Sequence, residues 1–381
     1  LGGRPQDEAG RHARAKRKCK ILKGAQRWTR VGAAQADLPD RHQHDRQTES
    51  HKKQCTQADE PAEIFHDQHN ALIEHALKQI GYSNARDQDE QKERDWENRN
   101  IPSYGVVLWG MFYRWTQKQV FDYMQYVVET MEHSAIEALK SDIDMAGIIS
   151  PTAGKVESYV KKDRRALDMG VMNSAVPWAM ATMEYSSAMG VVLCAPTGGS
   201  AGIFPGAVLG VANHLGLSMD EKIKAMLVTA IIGIVMSKDC NYSAELYGCQ
   251  IEPGAASGMA AGGLVYLMGG TPEQCCQAAS CAVQNILGTI CDPVAGLVQI
   301  PCINRNAMSA ANAVVSANMI MGGFDPLIPL DQTAETLFRV GRQLPSELRC
   351  TCRGGLCITP CGQKLAAEQD ARDNARTAAQ A

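Results

Sequence analysis

No apolar run in this 381-residue chain is long enough to cross a bilayer. The longest, AMLVTAIIGIVM at 225–236, falls well short of the roughly 20 residues that a spanning helix needs. The opening residues, LGGRPQDEAGRHARAKRKCK, contain no apolar stretch of the kind a secretory leader carries. These features predict a soluble, reduced, cytoplasmic protein with no membrane partner. The formal net charge is only -3, which argues against a nucleic-acid surface for the chain as a whole. No segment alternates apolar and polar residues with a period of two, so no sheet is expected. The Gly-rich stretch at 194–206 has neither the Gly-Lys-Ser/Thr of a P-loop nor the G-x-G-x-x-G of a dinucleotide fold. Histidine is also scarce in the helical region, where only His133 and His214 occur, so no general base can be named.

The chain divides by composition. Its first thirty residues hold ten Lys/Arg against two Asp/Glu, and the stretch to about residue 60 is rich in Gln, His and Asp. Such a segment buries too little apolar surface to offset chain entropy. Residues 1–100 are therefore expected to be a disordered or non-native polar extension, with one weak helix at 64–82. Residues 101–365 read as an all-α domain with Gly/Pro-rich loops, followed by a polar tail at 366–381. Thr116 with Gln119 and Ser218 with Glu221 are capping boxes. Thr271, Pro272 and Gln274 open another helix, with Gly288 just past its end. The Ala/Gly/Ser/Met-rich stretches 257–268 and 306–321 permit close helix contact.

Twelve of the fourteen cysteines lie between 194 and 361. Cys275, Cys276 and Cys281 fall inside a predicted helix, where cysteine behaves as a small hydrophobe, and Cys240 reads as structural too. Cys249, Cys291 and Cys302 stand beside Gly or Pro at loops and helix boundaries. Three thiols from separated loops can converge on a metal or can simply be buried. The turn APTGGSAGIFPG offers backbone N–H groups with Thr197 and Ser200 to cradle a carboxylate, or is only a tight interhelical turn. Arg305 offers a bidentate fork for a carboxylate, and could equally cap a helix or pair with an acid.

The stretches APTGGSAGIFPG, GCQIEPGAASGMAAGG, GGTPEQ, GTICDPVAGLVQIPCINRNA and RGGLCITPCGQK resemble the alpha subunit or alpha domain of the iron–sulfur-dependent L-serine dehydratases. The resemblance covers roughly 105–365. It implies that Cys249, Cys291 and Cys302 ligate a 4Fe-4S cluster, leaving one iron open as a Lewis acid. That iron would polarise the hydroxyl of L-serine, and elimination followed by hydrolysis would give pyruvate and ammonia. Thr197, Ser200 and Arg305 would hold the substrate carboxylate. Nothing in residues 1–100 resembles the family's beta domain, so a separate beta subunit is implied, within an oligomer. Alternatives are another hydro-lyase or β-eliminase acting on threonine, cysteine or a hydroxy acid, and a non-catalytic metal-binding or redox-sensing protein. Two features depart from the family pattern. EYSSAMG at 184–190 stands where VNASMG is usual, and the tail carries Cys350, Cys352, Cys357 and Cys361. Gly354, Gly355 and Pro360 predict a turn laying these cysteines over the core. There a tail thiol could reach the open iron, a separate zinc site could form, or the thiols could simply pack.

Overall fold

The computed structural model describes residues 115–140, 142–237 and 241–379. The extension at 1–100, its helix at 64–82 and Cys240 lie outside the described residues. Among those described, the structure contains eleven α-helices and no strand, with one isolated bridge pairing Cys291 and Arg349. The helices are α1 (Gln117–Lys140), α2 (Ala153–Lys162), α3 (Met172–Ser187), α4 (Val211–His214), α5 (Met219–Met236), α6 (Ala244–Tyr247), α7 (Glu252–Leu267), α8 (Pro272–Gln284), α9 (Cys302–Met321), α10 (Leu330–Gln343) and α11 (Pro360–Ala379). A π-helical stretch, Pro205–Gly210, leads directly into α4.

The helix starts follow the capping signals. The Thr116 amide donates to Gln119 Oε1 at 2.8 Å, and the Gln119 amide donates to Thr116 Oγ1 at 3.3 Å. Ser218 with Glu221 and Thr271 with Gln274 close the same reciprocal box at α5 and α8. Each box satisfies amides that have no partner within the helix. α8 ends at Gln284, earlier than Gly288 suggested, and Gly288 sits with φ +84° in the following turns. The polar residues expected as a tail from 366 are helical through Ala379.

α7 is the central element. Every residue from Pro253 to Val265 is buried, so the helix has no solvent face. It packs against α5, α8 and α9, while α3 packs against α1, α9 and the π-helical stretch. Small side chains on α7 make that crowding possible. A Cβ on Gly258 would stand 3.0 Å from the Ala279 carbonyl oxygen of α8. Larger apolar side chains such as Leu209, Leu227, Ile251 and Ile303 fill the remaining space and are fully buried or nearly so. Burial of each such side chain contributes about 1.5–3 kcal/mol. α10 is strongly one-sided, turning Leu330, Ala334, Leu337 and Phe338 inward.

The Gly-rich stretch crosses α3 closely enough that a Cβ on Gly202 would lie 2.3 Å from the Ala179 carbonyl oxygen. A Cβ on Gly254 would instead meet Ile286 at 3.5 Å, ordinary contact distance. Gly202→Ala is therefore expected to cost about 3 kcal/mol through backbone displacement. Gly254→Ala is expected to be neutral or to gain up to about 1 kcal/mol from helix propensity. Urea unfolding midpoints of the two variants compare them directly.

Candidate metal centre

Three segments bring the candidate cysteines together. Cys249 follows α6, and its neighbour Gln250 locks the segment in place. The Gln250 amide donates to Thr289 O at 2.9 Å, its side-chain Nε2 donates to Tyr247 O and Leu337 O, and its Oε1 accepts from the Gly288 amide. The loop carrying Cys249 is thereby tied to the loop that leads into Cys291. Cys291 donates its amide to Leu348 O at 2.8 Å and accepts from the Cys350 amide at 2.7 Å. Cys302 is the first residue of α9, immediately after the cis Ile300–Pro301 bond. Asn306, one turn along α9, donates to Cys302 O and Gly199 O and accepts from the Gly202 amide. That side chain holds the Gly-rich turn against the helix bearing Cys302.

All three thiols are withdrawn from water, with Cys249 4%, Cys291 3% and Cys302 8% exposed. Cys249 and Cys291 share a small apolar cluster with Ala244, against which Cys350 packs. A hydrogen bond from the Cys291 thiol holds Cys249 below the usual thiol range, opposed by burial and assisted by the Arg305 guanidinium. Cys291 is pushed up because it is the hydrogen-bond partner of Cys249 and Cys350. Burial raises Cys302, and the neighbouring Cys249 adds to the rise. By contrast, Cys275 and Cys281 are buried within α8, as their helical setting suggested, and desolvation pushes Cys275 well up. A hydrophobic setting of this kind makes them inert core side chains.

Arg305 lies among the thiols with its donors engaged. Nη1 donates to Ile290 O at 2.6 Å, Nη2 donates to Asp292 Oδ1 at 2.8 Å, and the guanidinium also hydrogen-bonds Cys249. The other carboxylate oxygen of Asp292 accepts from the Leu356 amide at 2.8 Å. Thr197 and Ser200 meet across the Gly-rich turn, their hydroxyls 3.1 Å apart. Ser200 is fully buried and bonds within the turn, to Ala195 O and Thr197 O. His133 stacks edge-on against Tyr185, and His214 contacts Ser174, both partners lying on α3.

Sequence reasoning missed Glu252, Asp292 and Asn306. Each stood in a quoted stretch, but only the fold shows what each faces. The Glu252 carboxylate presses against Gly199, where a Cβ would come within 2.7 Å of Oε2. Burial raises its carboxyl to about 8, the nearby Cys249 adds to the rise, and a hydrogen bond from Thr197 opposes it. At neutral pH the group is mainly protonated, which equips it to give up a proton.

Soft thiolate donors without histidine or water-rich carboxylates suit an iron–sulfur group. Among the described residues, no three His, Cys, Asp or Glu side chains are grouped as ligands of a single ion. Thiolates drawn from separate loops are the donor set that an iron–sulfur cluster would take. The buried cysteine set, with one guanidinium to offset its charge, fits such a group.

A helical domain with thiols gathered from separated loops is thus defined. The profile of the family described as "Serine dehydratase alpha chain" matches residues 31–357, and the chain belongs to that family. It is 36% identical over 250 residues to the "Probable L-serine dehydratase, alpha chain" of Bacillus subtilis (strain 168), covering 66% of this chain and 83% of that protein. To the "L-serine dehydratase, alpha chain" of Peptoniphilus asaccharolyticus it is 34% identical over 251 residues, covering 66% and 86%. It is also 34% identical over 250 residues to "L-serine dehydratase 1" of Escherichia coli (strain K12), covering 64% of this chain but 55% of that protein. No helix among the described residues is long and apolar enough to cross a membrane.

Two outcomes follow from this geometry. Arg305→Gln should cost about 3 kcal/mol, since it strands the buried carboxylate of Asp292. Adding Asp292→Asn should recover part of the loss, giving a large coupling in a double-mutant cycle. Glu252 binds its proton up to about pH 8 when folded, against 4.5 in its ordinary setting, so between those values the folded chain holds a proton that the unfolded chain has released. Stability of the metal-free chain should therefore fall as pH rises through that window. Glu252→Gln removes the fall, and its stability advantage in urea unfolding should widen toward pH 8. An advantage that stays constant with pH would show that Glu252 ionises normally.

Proposed function

We propose that this chain is the iron–sulfur-bearing alpha chain of an L-serine dehydratase, a lyase that converts L-serine to pyruvate and ammonia together with a separate beta subunit. The observation that carries the reading is the meeting of the Cys249 and Cys291 segments beside Cys302 and Arg305, in a chain of this family. Cys249, Cys291 and Cys302 would hold a 4Fe-4S cluster, which when bound supplies a Lewis acid for loss of the poorly leaving serine hydroxyl.

The chain's own residues supply the surroundings. Glu252, protonated and bonded to Thr197, is placed to deliver a proton to the departing hydroxyl as water forms. Thr197 and the backbone amides of the Gly198–Gly199 turn are the proposed seat of the substrate carboxylate. Ser200 fixes the conformation of that turn through its hydrogen bonds to the Thr197 amide, hydroxyl and carbonyl and to Ala195 O. Arg305, which holds Cys249 and Asp292, would add the positive charge that draws the carboxylate in. The base for the Cα proton is not identified among the described residues, and a side chain of the beta subunit is the proposed candidate. The Bacillus and Peptoniphilus relatives are each named as an alpha chain, which supports a partner chain.

The test is anaerobic purification with and without a cognate beta chain, scoring iron, sulfide and deamination of serine, threonine and cysteine. Brown protein that bleaches in air, with serine deamination rising steeply when the beta chain is added, is expected. A colourless, metal-free chain that deaminates serine would overturn the reading. Cys291→Ser and Cys302→Ser should each abolish iron retention. Cys275→Ser should retain iron and lose only packing, about 1–2 kcal/mol. Equal iron loss in both sets would show that the ligands are misassigned.

A further inference from the structure

Cys350 has no part in the family reading above, yet its thiol contacts that of Cys291. The contact is enforced by backbone. Residues 348–350 form the isolated bridge with Cys291, through Cys291 N to Leu348 O at 2.8 Å and Cys350 N to Cys291 O at 2.7 Å. Just beyond, the thiols of Cys352 and Cys357 both donate to Pro293 O, at 3.4 and 3.1 Å, and the Leu356 amide donates to Asp292 Oδ2. The segment 348–357 is thus sewn along 291–293, and the sulfurs of Cys291 and Cys350 are neighbours by construction. Cys350 has φ +59°, a conformation that a non-glycine residue rarely adopts. The described cysteines form no disulfide in this structure.

We infer that Cys291 and Cys350 form a reversible disulfide in the metal-free chain, a latch that withholds Cys291 from metal until it is reduced. Cys249 also touches Cys291, but Cys249 is almost fully buried, whereas Cys350 is partly exposed to solvent. A soluble disulfide such as oxidised glutathione therefore meets Cys350 first. The Cys350 thiolate attacks one glutathione sulfur, forming a mixed disulfide and expelling one glutathione thiolate. Cys291, losing its proton to solvent, then attacks the Cys350 sulfur and expels the second. Two protein thiols are oxidised and one glutathione disulfide is reduced to two glutathione thiols. Once joined, Cys291 has no thiolate to offer an iron.

The pairing stands on geometry alone, while its consequence for metal rests on the proposed role of Cys291. The experiment treats the metal-free full chain with oxidised glutathione, alkylates the remaining thiols, and maps cross-linked peptides without reduction. Iron and sulfide uptake is measured on a separate, unalkylated portion before and after dithiothreitol. Expected are a 291–350 linkage with loss of both thiols and of iron uptake, and, on reduction, cleavage of the linkage with return of both thiols and of iron uptake. Cys350→Ser, and Cys350→Gly as the variant that suits a positive φ, should fold, form no such linkage and keep iron uptake after the same oxidation. A dominant 249–291 linkage, a stable glutathione adduct on Cys350, or full iron uptake by the cross-linked chain would overturn the latch. A fully reduced chain that takes up no iron fails the metal reading and the withholding role, while the mapped linkage still decides the pairing separately.

Discussion

Without the Arg305 guanidinium, the carboxylate of Asp292 would carry a charge almost wholly shielded from water, and the cost of that exposure to low dielectric organises the site around it. The pair joins the first turn of α9 to the residue that follows Cys291. Arg305 also reaches Ile290 O and the Cys249 thiol, and Asp292 reaches the Leu356 amide. Two charged side chains therefore connect all the segments that carry the clustered thiols, including the one bearing Cys350. A buried pair of this sort adds little net stability over an apolar substitute, but losing one partner is expensive, so it fixes arrangement more than it adds strength. Its charge also favours the thiolate form of Cys249, which ligation of a metal would require.

Around this junction the scaffold is stiff for a simple steric reason. α7 is enclosed on every side and lined with Gly, Ala and Ser, so neighbouring helices approach to backbone distance and leave little freedom for one to slide on another. Glu252 is the first residue of that helix and Cys249 stands just before it. Cys302 is likewise the first residue of α9, which packs directly on α7. Glu252, Cys249 and Cys302 thus sit at the starts of two closely packed helices, whose bodies hold them in register.

Much of the fold was legible because its signals are local. The boxes Thr116/Gln119, Ser218/Glu221 and Thr271/Gln274 each act within four residues, so pattern and structure agree. Of the three cysteines expected in the core because they fall inside a predicted helix, Cys275 and Cys281 are buried and Cys276 is partly buried. Arg305, Thr197 and Ser200 were selected as polar groups suited to a carboxylate. The structure shows the Arg305 donors turned to Ile290, Asp292 and Cys249, and Ser200 turned into its own turn. A side chain's chemistry limits what it can bind, but its partners are chosen by what the fold places beside it.

The sequence by itself determined the helical class, the starts of the principal helices, the kinship with the serine dehydratase alpha chains and the identity of the cysteines worth following. Each of these rests on residue type and short-range spacing, which the folded state inherits unchanged. Only the tertiary structure decided that Glu252 lies buried under Gly199 beside Thr197, that Asn306 ties the Gly-rich turn to α9, and that Cys350 lies against Cys291. Those contacts join residues from about fifty to more than one hundred positions apart. They exist because helix packing closes the intervening loops, and chain closure over such distances leaves no trace in the local pattern.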